Sequence, residues 1–258
     1  MILDDILAQT RQTVACARDR LPPSLLEERL ALAPPVRDFC AALGQPGLAC
    51  IAEFKRRSPS KGWINQTADP AAVTGAYQAG GAAAISVLTD GPFFGGSLDD
   101  LRRVRATVDI PVLRKDFIID RYQVLEARVA GADAVLLIVA ALSQDDLVAL
   151  LAEVRRLGME ALVETHDRQE VERALASQAR VIGVNHRDLR TFQMDMTLAT
   201  SMRPLVPPDR LLVAESGIRT ADDARRMQAA GIDAILVGEG LMVKPDPGAA
   251  LRELLDRR

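Results

Sequence analysis

The 258-residue chain has only three cysteines and two histidines, carries almost no net charge, and contains no long uninterrupted apolar run. Each shortage removes a class of protein. Cys16, Cys40 and Cys50 are odd in number and lack zinc-type spacing, so they read as reduced structural thiols rather than a disulfide framework. His166 and His186 do not form a ligand pair such as His-Glu-x-x-His, and no catalytic metal is expected. Thirty-two Lys and Arg against 35 Asp and Glu leave a net charge of -3, without the electrostatic footprint of a nucleic-acid binder. No apolar stretch approaches the roughly 18 residues of a membrane span. The opening Met1-Ile2-Leu3-Asp4-Asp5 has acid where a secretory signal has base. The expectation is a cytoplasmic protein with no nucleic-acid or membrane partner.

What is present is a repeated alternation. Short apolar runs ending in polar residues recur at 48–54, 83–88, 111–116, 134–139, 161–165, 181–185, 211–215 and 234–238, separated by stretches of helical periodicity. That is the pattern of βα units feeding a parallel sheet. Leu147, Leu150, Leu151, Val154 and Leu157 fall on one helical face behind a capping-box-like start at Ser143 and Asp146, and Thr220 with Asp223 repeats the device. A weak internal repeat gives the same count: Ala79-Gly80-Gly81-Ala82-Ala83, Ala130-Gly131-Ala132-Asp133-Ala134 and Ala230-Gly231-Ile232-Asp233-Ala234 each lead from a helix into an apolar strand. Glycine there suits a helix C-terminus.

Eight such strands can lie open or close on themselves, and the absence of Gly-x-Gly-x-x-Gly after the first strand favours closure. The length is also near the roughly 250 residues of one such barrel. The expected fold is α/β, a (β/α)8 TIM barrel with an N-terminal helical extension. That extension comprises an amphipathic helix (Leu3, Ile6, Leu7, Thr10, Val14) and a segment punctuated by Pro22-Pro23 and Pro34-Pro35. Residues 1–258 are expected to form one domain, with 1–47 packed on the barrel.

In such a barrel, charge at the C-terminal ends of strands faces the active site. The first strand ends Glu53-Phe54-Lys55, putting two ionisable groups on one side by period-two alternation. Lys115 ends the third run, Glu164 the fifth, Asn185 the sixth and Glu215 the seventh. Polar residues at the same end of five strands form an acid/base set assembled from separate strands. Glu215-Ser216-Gly217-Ile218 and Val237-Gly238-Glu239-Gly240 follow the last two strands, where barrels hold phosphate with backbone N–H groups. His166 reads as a loop or capping residue. The loop 56–65, with Pro59, Lys61 and Gly62, has a composition suited to closing over a bound molecule.

One family is closely similar in these motifs. Ile51-Ala52-Glu53-Phe54-Lys55-Arg56-Arg57-Ser58-Pro59-Ser60-Lys61-Gly62 resembles the Glu-x-Lys-x-x-Ser-Pro-Ser signature of indole-3-glycerol-phosphate synthases. The likeness continues through Phe93-Phe94-Gly95-Gly96-Ser97, Leu113-Arg114-Lys115-Asp116-Phe117, Val163-Glu164, Gly183-Val184-Asn185, Arg187-Asp188-Leu189, Ala214-Glu215-Ser216-Gly217-Ile218 and Leu236-Val237-Gly238-Glu239, in order. The resemblance implies ring closure, decarboxylation and dehydration of 1-(2-carboxyphenylamino)-1-deoxyribulose 5-phosphate to indole-3-glycerol phosphate in tryptophan biosynthesis, with no cofactor. The phosphate and the acid/base set come from the residues; the aromatic substrate comes only from the resemblance.

By the same resemblance Lys115 is the general acid on the ribulose carbonyl, a role that suits a lysine whose pKa is lowered by burial and nearby positive charge. Lys55 is a candidate for anchoring and for a second proton transfer, held by Glu53; which lysine delivers which proton stays open. Glu164 is the general base and Asn185 orients the substrate. Ser216 completes the catalytic set and, with Gly217, Gly238 and Glu239, the phosphate site. Ser58, Arg187 and Glu215 are substrate ligands, while Phe94 and Phe117 either pack the anthranilate ring or fill space under a loop. Two departures from the family pattern, His186 and Glu239-Gly240, lie near the mouth. The expected partner is a phosphorylated small molecule, and the expected state a monomer or weak homo-oligomer. A phosphoribosylanthranilate isomerase and a catalytically silent barrel are the alternatives; the paired lysines and the extension count against the first, and the complete constellation against the second.

Overall fold

The predicted strands all form, each within one residue of its expected bounds. In the computed structural model, which describes residues 2–188 and 193–256, they are β1 (Ala49–Phe54), β2 (Ala84–Leu88), β3 (Val112–Lys115), β4 (Ala134–Ile138), β5 (Glu160–Thr165), β6 (Val181–Asn185), β7 (Leu211–Glu215) and β8 (Ala234–Val237). Leu189 of the Arg187-Asp188-Leu189 motif lies outside the described residues. All eight pair in parallel with their sequence neighbours, and β1 pairs with β8 through Ala49 and Ala234 and through Ile51 and Leu236, so the barrel is closed. Among the described residues no helix is long and apolar enough to cross a membrane.

Period-two alternation divides each strand between two cores. Ile51, Leu113, Leu136, Leu162, Val213 and Leu236 belong to the inner cluster, whereas Ala52, Val135, Val163, Ile182, Ala214 and Ile235 pack outward beneath the helices. The helices keep their amphipathic reading: on Gln144–Arg156 the side chains of Leu147, Leu150, Leu151 and Val154 are buried. Ser143 caps that helix, and Thr220 with Asp223 makes a complete capping box.

The sequence repeat has a second physical meaning beyond its glycines. Gly131 and Gly231 do take positive φ (93° and 76°) where helices end. The aspartates two residues on then tie strand starts together: Asp133 Oδ2 accepts the Val112 N–H at 2.8 Å, and Asp233 Oδ2 accepts the Leu212 N–H at 2.8 Å. Each carboxylate also meets an arginine, Arg105 at 2.6 Å and Arg203 at 3.1 Å respectively.

The N-terminal extension runs along the barrel from one end to the other. Its first helix, Ile2–Arg20, lies at the C-terminal end of the strands, because Arg18 pairs with Asp120 and the Tyr122 hydroxyl donates to the Ala17 and Leu21 carbonyls, and both partners open the helix after β3. Ile6 and Leu7 join the inner apolar cluster with Phe117, as the amphipathic pattern requires. At the other end the Arg37 N–H donates to Asp133 Oδ1 at 2.7 Å, and Phe39 and Leu43 of a short helix (Phe39–Leu43) are buried in the inner cluster. Asp133 therefore fastens extension, β3 and β4 at one point. Asp133→Ala strands the Arg105 guanidinium and two backbone donors, and is expected to lower the unfolding free energy by about 3 kcal/mol or more; urea denaturation that moved it by less than about 1 kcal/mol would contradict this role.

Candidate active site

A barrel interior is filled by layers of side chains taken from alternate strands. In the layer nearest the C-terminal ends, the odd-numbered strands supply Glu53 (β1), Lys115 (β3), Glu164 (β5) and Glu215 (β7). Lys115 Nζ donates to Glu215 Oε2 at 3.0 Å and lies 3.5 Å from Glu164 Oε2 and 3.8 Å from Glu53 Oε2. One ammonium thus serves three carboxylates, each less than 5% exposed. Lys55, just beyond β1, donates to Glu53 Oε1 at 2.7 Å, as alternation predicts for residues two apart.

The even-numbered strands make room for this layer. A Cβ built on Gly183 of β6 would overlap Glu215 Oε1, and one on Gly238 would come within 2.6 Å of Glu53 Oε1. Sequence reading did not single out Gly183, although a glycine inside an apolar strand marks close approach by another group. For Gly238, assigned to phosphate, clearance for Glu53 is a second requirement.

These groups line a cavity of about 430 Å³ whose walls also include Leu88, Leu136 and Ile138. Asn185 Nδ2 donates to Glu164 Oε1 at 3.2 Å, and Asn185 Oδ1 accepts the Arg187 N–H at 3.0 Å. Arg187 reaches across to Ser60 Oγ at 3.0 Å, joining the loop after β6 to the loop after β1. Ser58, Phe94, Phe117, Arg187, Ser216, Gly217 and Glu239 all line the same cavity. The Phe94 and Phe117 rings stand 6.0 Å apart at 37°. The structure thus brings every residue singled out from the sequence to one place.

The end of the cavity expected to hold phosphate is chemically mixed. Ser216 and Gly217 both have positive φ (67° and 80°), a tight turn that costs a serine energy. His186 Nδ1 lies 2.9 Å from the Ser216 carbonyl, so the first of the two departures from the family pattern braces that turn. The Glu239 carboxylate lies 3.8 Å from Lys61 Nζ; its charge opposes a phosphate, which leaves its backbone N–H as the useful group. Arg219 and Lys244, unremarked in the sequence, line the cavity beside these loops and supply cations.

Electrostatics revise one expectation directly. From the sequence, burial and nearby positive charge are expected to lower the Lys115 pKa. Burial does oppose the Lys115 charge, but Glu215, Glu164 and Glu53 outweigh it and hold the ammonium well above the ordinary lysine value. Burial likewise opposes the carboxylates of Glu53 and Glu164. Lys55 and Lys115 keep the first below its usual range, and Lys115, His166 and Asn185 keep the second there. Glu215 goes the other way, pushed up to about 7 by burial and by the Glu164 and Glu53 charges against the pull of Lys115. Its Oε1 is buried with no hydrogen-bond partner among the described residues.

His166, read from the sequence as a loop or capping residue, is a loop residue just ahead of the N-cap Asp167, and its N–H donates to Glu170 Oε2 at 2.8 Å. Its ring also reaches the site, with Nε2 at 3.2 Å from Glu164 Oε1. The alternation that paired Glu53 with Lys55 applies equally to Glu164 and His166, and was the available signal.

Comparison with known proteins bears on what such a site is for. The profile of the family described as indole-3-glycerol phosphate synthase matches residues 3–254. Indole-3-glycerol phosphate synthase 2 of Streptomyces coelicolor is 54% identical over 254 residues, 98% of each chain. The indole-3-glycerol phosphate synthase of Rhodopirellula baltica is 49% identical over 98% of each chain, and that of Mycolicibacterium smegmatis 49% identical over 98% of this chain and 93% of its own. Among solved structures, a thiamine phosphate pyrophosphorylase from Pyrococcus furiosus superposes with a TM-score of 0.60 over 80% of this chain and 93% of its own, at 19% identity. KGPDC from Streptococcus mutans superposes with a TM-score of 0.60 over 81% of this chain and 97% of its own, at 13% identity. The distant likenesses establish the barrel; the near-full-length identities of about half place the chain in the indole-3-glycerol phosphate synthase family.

Proposed function

We infer that this protein closes the indole ring, converting 1-(2-carboxyphenylamino)-1-deoxyribulose 5-phosphate into indole-3-glycerol phosphate with loss of carbon dioxide and water. It is a carboxy-lyase of tryptophan biosynthesis. The observation that carries the reading at the level of chemistry is the Lys115 ammonium set among Glu53, Glu164 and Glu215 at the end of a cavity with apolar walls.

Ring closure needs a proton on the ribulose carbonyl as the aromatic carbon attacks it. Lys115, held protonated, is loaded for that delivery. Its acidity must rise as it acts, and substrate entry supplies the means: a polar group that draws Glu164 or Glu215 away weakens the field holding the proton. Glu215, 3.0 Å from Nζ and pushed up to about 7, is the neighbour able to return a proton to the lysine near neutral pH. Glu164, kept ionised, accepts a proton in dehydration or rearomatisation, with Asn185 orienting both base and substrate. Lys55 anchors the substrate and is the second candidate proton carrier, with Glu53 fixing it. Once the carbonyl is protonated the attacking ring acts as electron sink for decarboxylation, so no cofactor is called for.

Ser58 and Arg187 take the carboxylate or hydroxyls, and Phe94 and Phe117 flank the anthranilate ring. Backbone N–H groups of Ser216, Gly217, Gly238 and Glu239, with Arg219 and Lys244 nearby, hold the phosphate. We further read residues 1–258 as one domain, acting in the cytoplasm as a monomer or weak homo-oligomer. The many contacts between extension and barrel support the first part.

In a steady-state assay following indole fluorescence, Lys115→Ala is expected to lower turnover by roughly 10²- to 10⁴-fold without unfolding the protein; near-normal turnover would sink the assignment. Gly183→Ala inserts a methyl where Glu215 Oε1 sits. It is expected to cut turnover by at least about tenfold while the circular dichroism stays that of the parent. The raised Glu215 pKa makes a linkage prediction. A carboxyl whose folded pKa exceeds its unfolded value stabilises the fold below the unfolded pKa, and that contribution is lost as pH rises through the folded one, here about 7. Between pH 5 and pH 8 the melting temperature of the parent should therefore fall more than that of Glu215→Gln; parallel curves would count against a proton on Glu215.

A further inference from the structure

The two histidines of the chain stand at the same end of the barrel in opposite electrical settings. His186 is buried, meets the Ser216 carbonyl, and is pushed below the ordinary histidine value by burial. His166 stands between two acids. Its Nδ1 lies 3.1 Å from Glu170 Oε2, the oxygen that also accepts the His166 N–H, and its Nε2 lies 3.2 Å from Glu164 Oε1. Carboxylates only accept, so a ring between two of them needs a hydrogen on each nitrogen. The Nε2 contact is short yet off the line of an aligned hydrogen bond, so the attraction there is chiefly between charges.

The clamp is rigid on its outer side. Glu170 lies in the first turn of the helix Arg168–Ala176, where a carboxylate is favoured by the helix dipole, and its own N–H is held by the N-cap Asp167 at 2.8 Å. One Glu170 oxygen therefore fixes both the backbone and the ring of His166. On the inner side Glu164 Oε1 is shared by His166 and Asn185, which leaves Oε2 facing Lys115.

We infer that His166 is a positioning residue for the reaction: the Glu170–His166 pair locks Glu164 with Oε1 occupied and Oε2 presented toward Lys115 and the cavity. The inference rests on the base role proposed for Glu164. The charged groups facing this unit are Glu164 itself on β5, Glu170 on the following helix, and, around Glu164, Lys115 from β3 and Glu215 from β7. Burial opposes a charge on the His166 ring, but Glu164 and Glu170 outweigh it and push the ring up to about 10. The third cation of the cluster is thus a histidine that stays charged at neutral pH. Its effect is to keep Glu164 ionised and in one rotamer, which a neutral side chain of similar size does not do.

The chain's two histidines make the test direct, since nitrogen-correlated NMR of the imidazoles contains two residues and His166→Gln assigns them. The expected spectrum at pH 8 shows one ring with both nitrogens protonated, His166, and one neutral, His186. In Glu170→Gln the His166 ring should release its proton at least about one pH unit lower. A His166 ring that is neutral in the parent at pH 8 overturns the inference whether or not any variant folds. In the assay His166→Gln and Glu170→Gln should both lower kcat, the first by about tenfold or more, part of the roughly 10²- to 10⁴-fold that a general base supplies, with KM within about twofold. Unchanged kcat in His166→Gln, beside a Lys115→Ala variant that has lost turnover, overturns the positioning role and leaves the ring-closure reading intact. Unchanged turnover in Lys115→Ala as well overturns both.

Discussion

Everything at the C-terminal end of this barrel depends on the ammonium of Lys115 lying among three buried carboxylates. Taking each carboxylate out of water costs several kcal/mol, and at an effective dielectric of about 20 a charge pair near 4 Å returns about 4 kcal/mol. Glu53, Glu164 and Glu215 cannot all be ionised in the barrel without a cation at their centre. Lys55 relieves Glu53 and His166 relieves Glu164. Glu215, which has only Lys115 and an unpartnered second oxygen, is the member left near its proton. The division of labour among the three acids thus follows from which of them has a private cation.

The fold makes this arrangement possible by geometry. Odd-numbered strands deliver the four large charged side chains into one layer, and glycine at Gly183 and Gly238 clears the space between them. Below, Ile51, Leu113, Leu136, Leu162, Val213 and Leu236 form a buried apolar floor, which lowers the effective dielectric around the charged layer. The extension serves the same layer from outside. It is pinned at Asp133 at one end and at Asp120 and Tyr122 at the other, so Ile6 and Leu7 pack with Phe117 where the cavity opens.

How much of this was legible in the sequence follows from the range of each interaction. Strand positions, helix caps and the barrel were readable because alternation, Ser143 with Asp146, and Thr220 with Asp223 are local signals. The polar strand ends of β1, β3, β5, β6 and β7 were readable as a set because closure sends them all to one rim. The sign of the Lys115 shift was not, since it depends on three carboxylates from strands up to 100 residues away. Gly183 escaped for a similar reason: its requirement is imposed by Glu215 on the neighbouring strand. His166 reads as a loop or capping residue, and it does stand in the loop ahead of the N-cap Asp167, but a loop position is compatible with contact with Glu164. The aromatic substrate was never legible in the residues alone and came by resemblance, now supported over nearly the whole chain.

On the proposed reading, the balance of charge around Lys115 has a use. Burial opposes the Lys115 charge, but Glu215, Glu164 and Glu53 hold its pKa well above the ordinary lysine value, so its proton is released only when their field is weakened. The substrate proposed above carries a carboxylate, a phosphate and a polar chain, and a group of it that hydrogen-bonds Glu164 or Glu215 draws that carboxylate away from Lys115. Each such separation weakens the field that holds the Lys115 proton. On the proposed reading the acid strength of Lys115 is set by the bound substrate together with the protein, which reconciles a general-acid role with a place among three carboxylates.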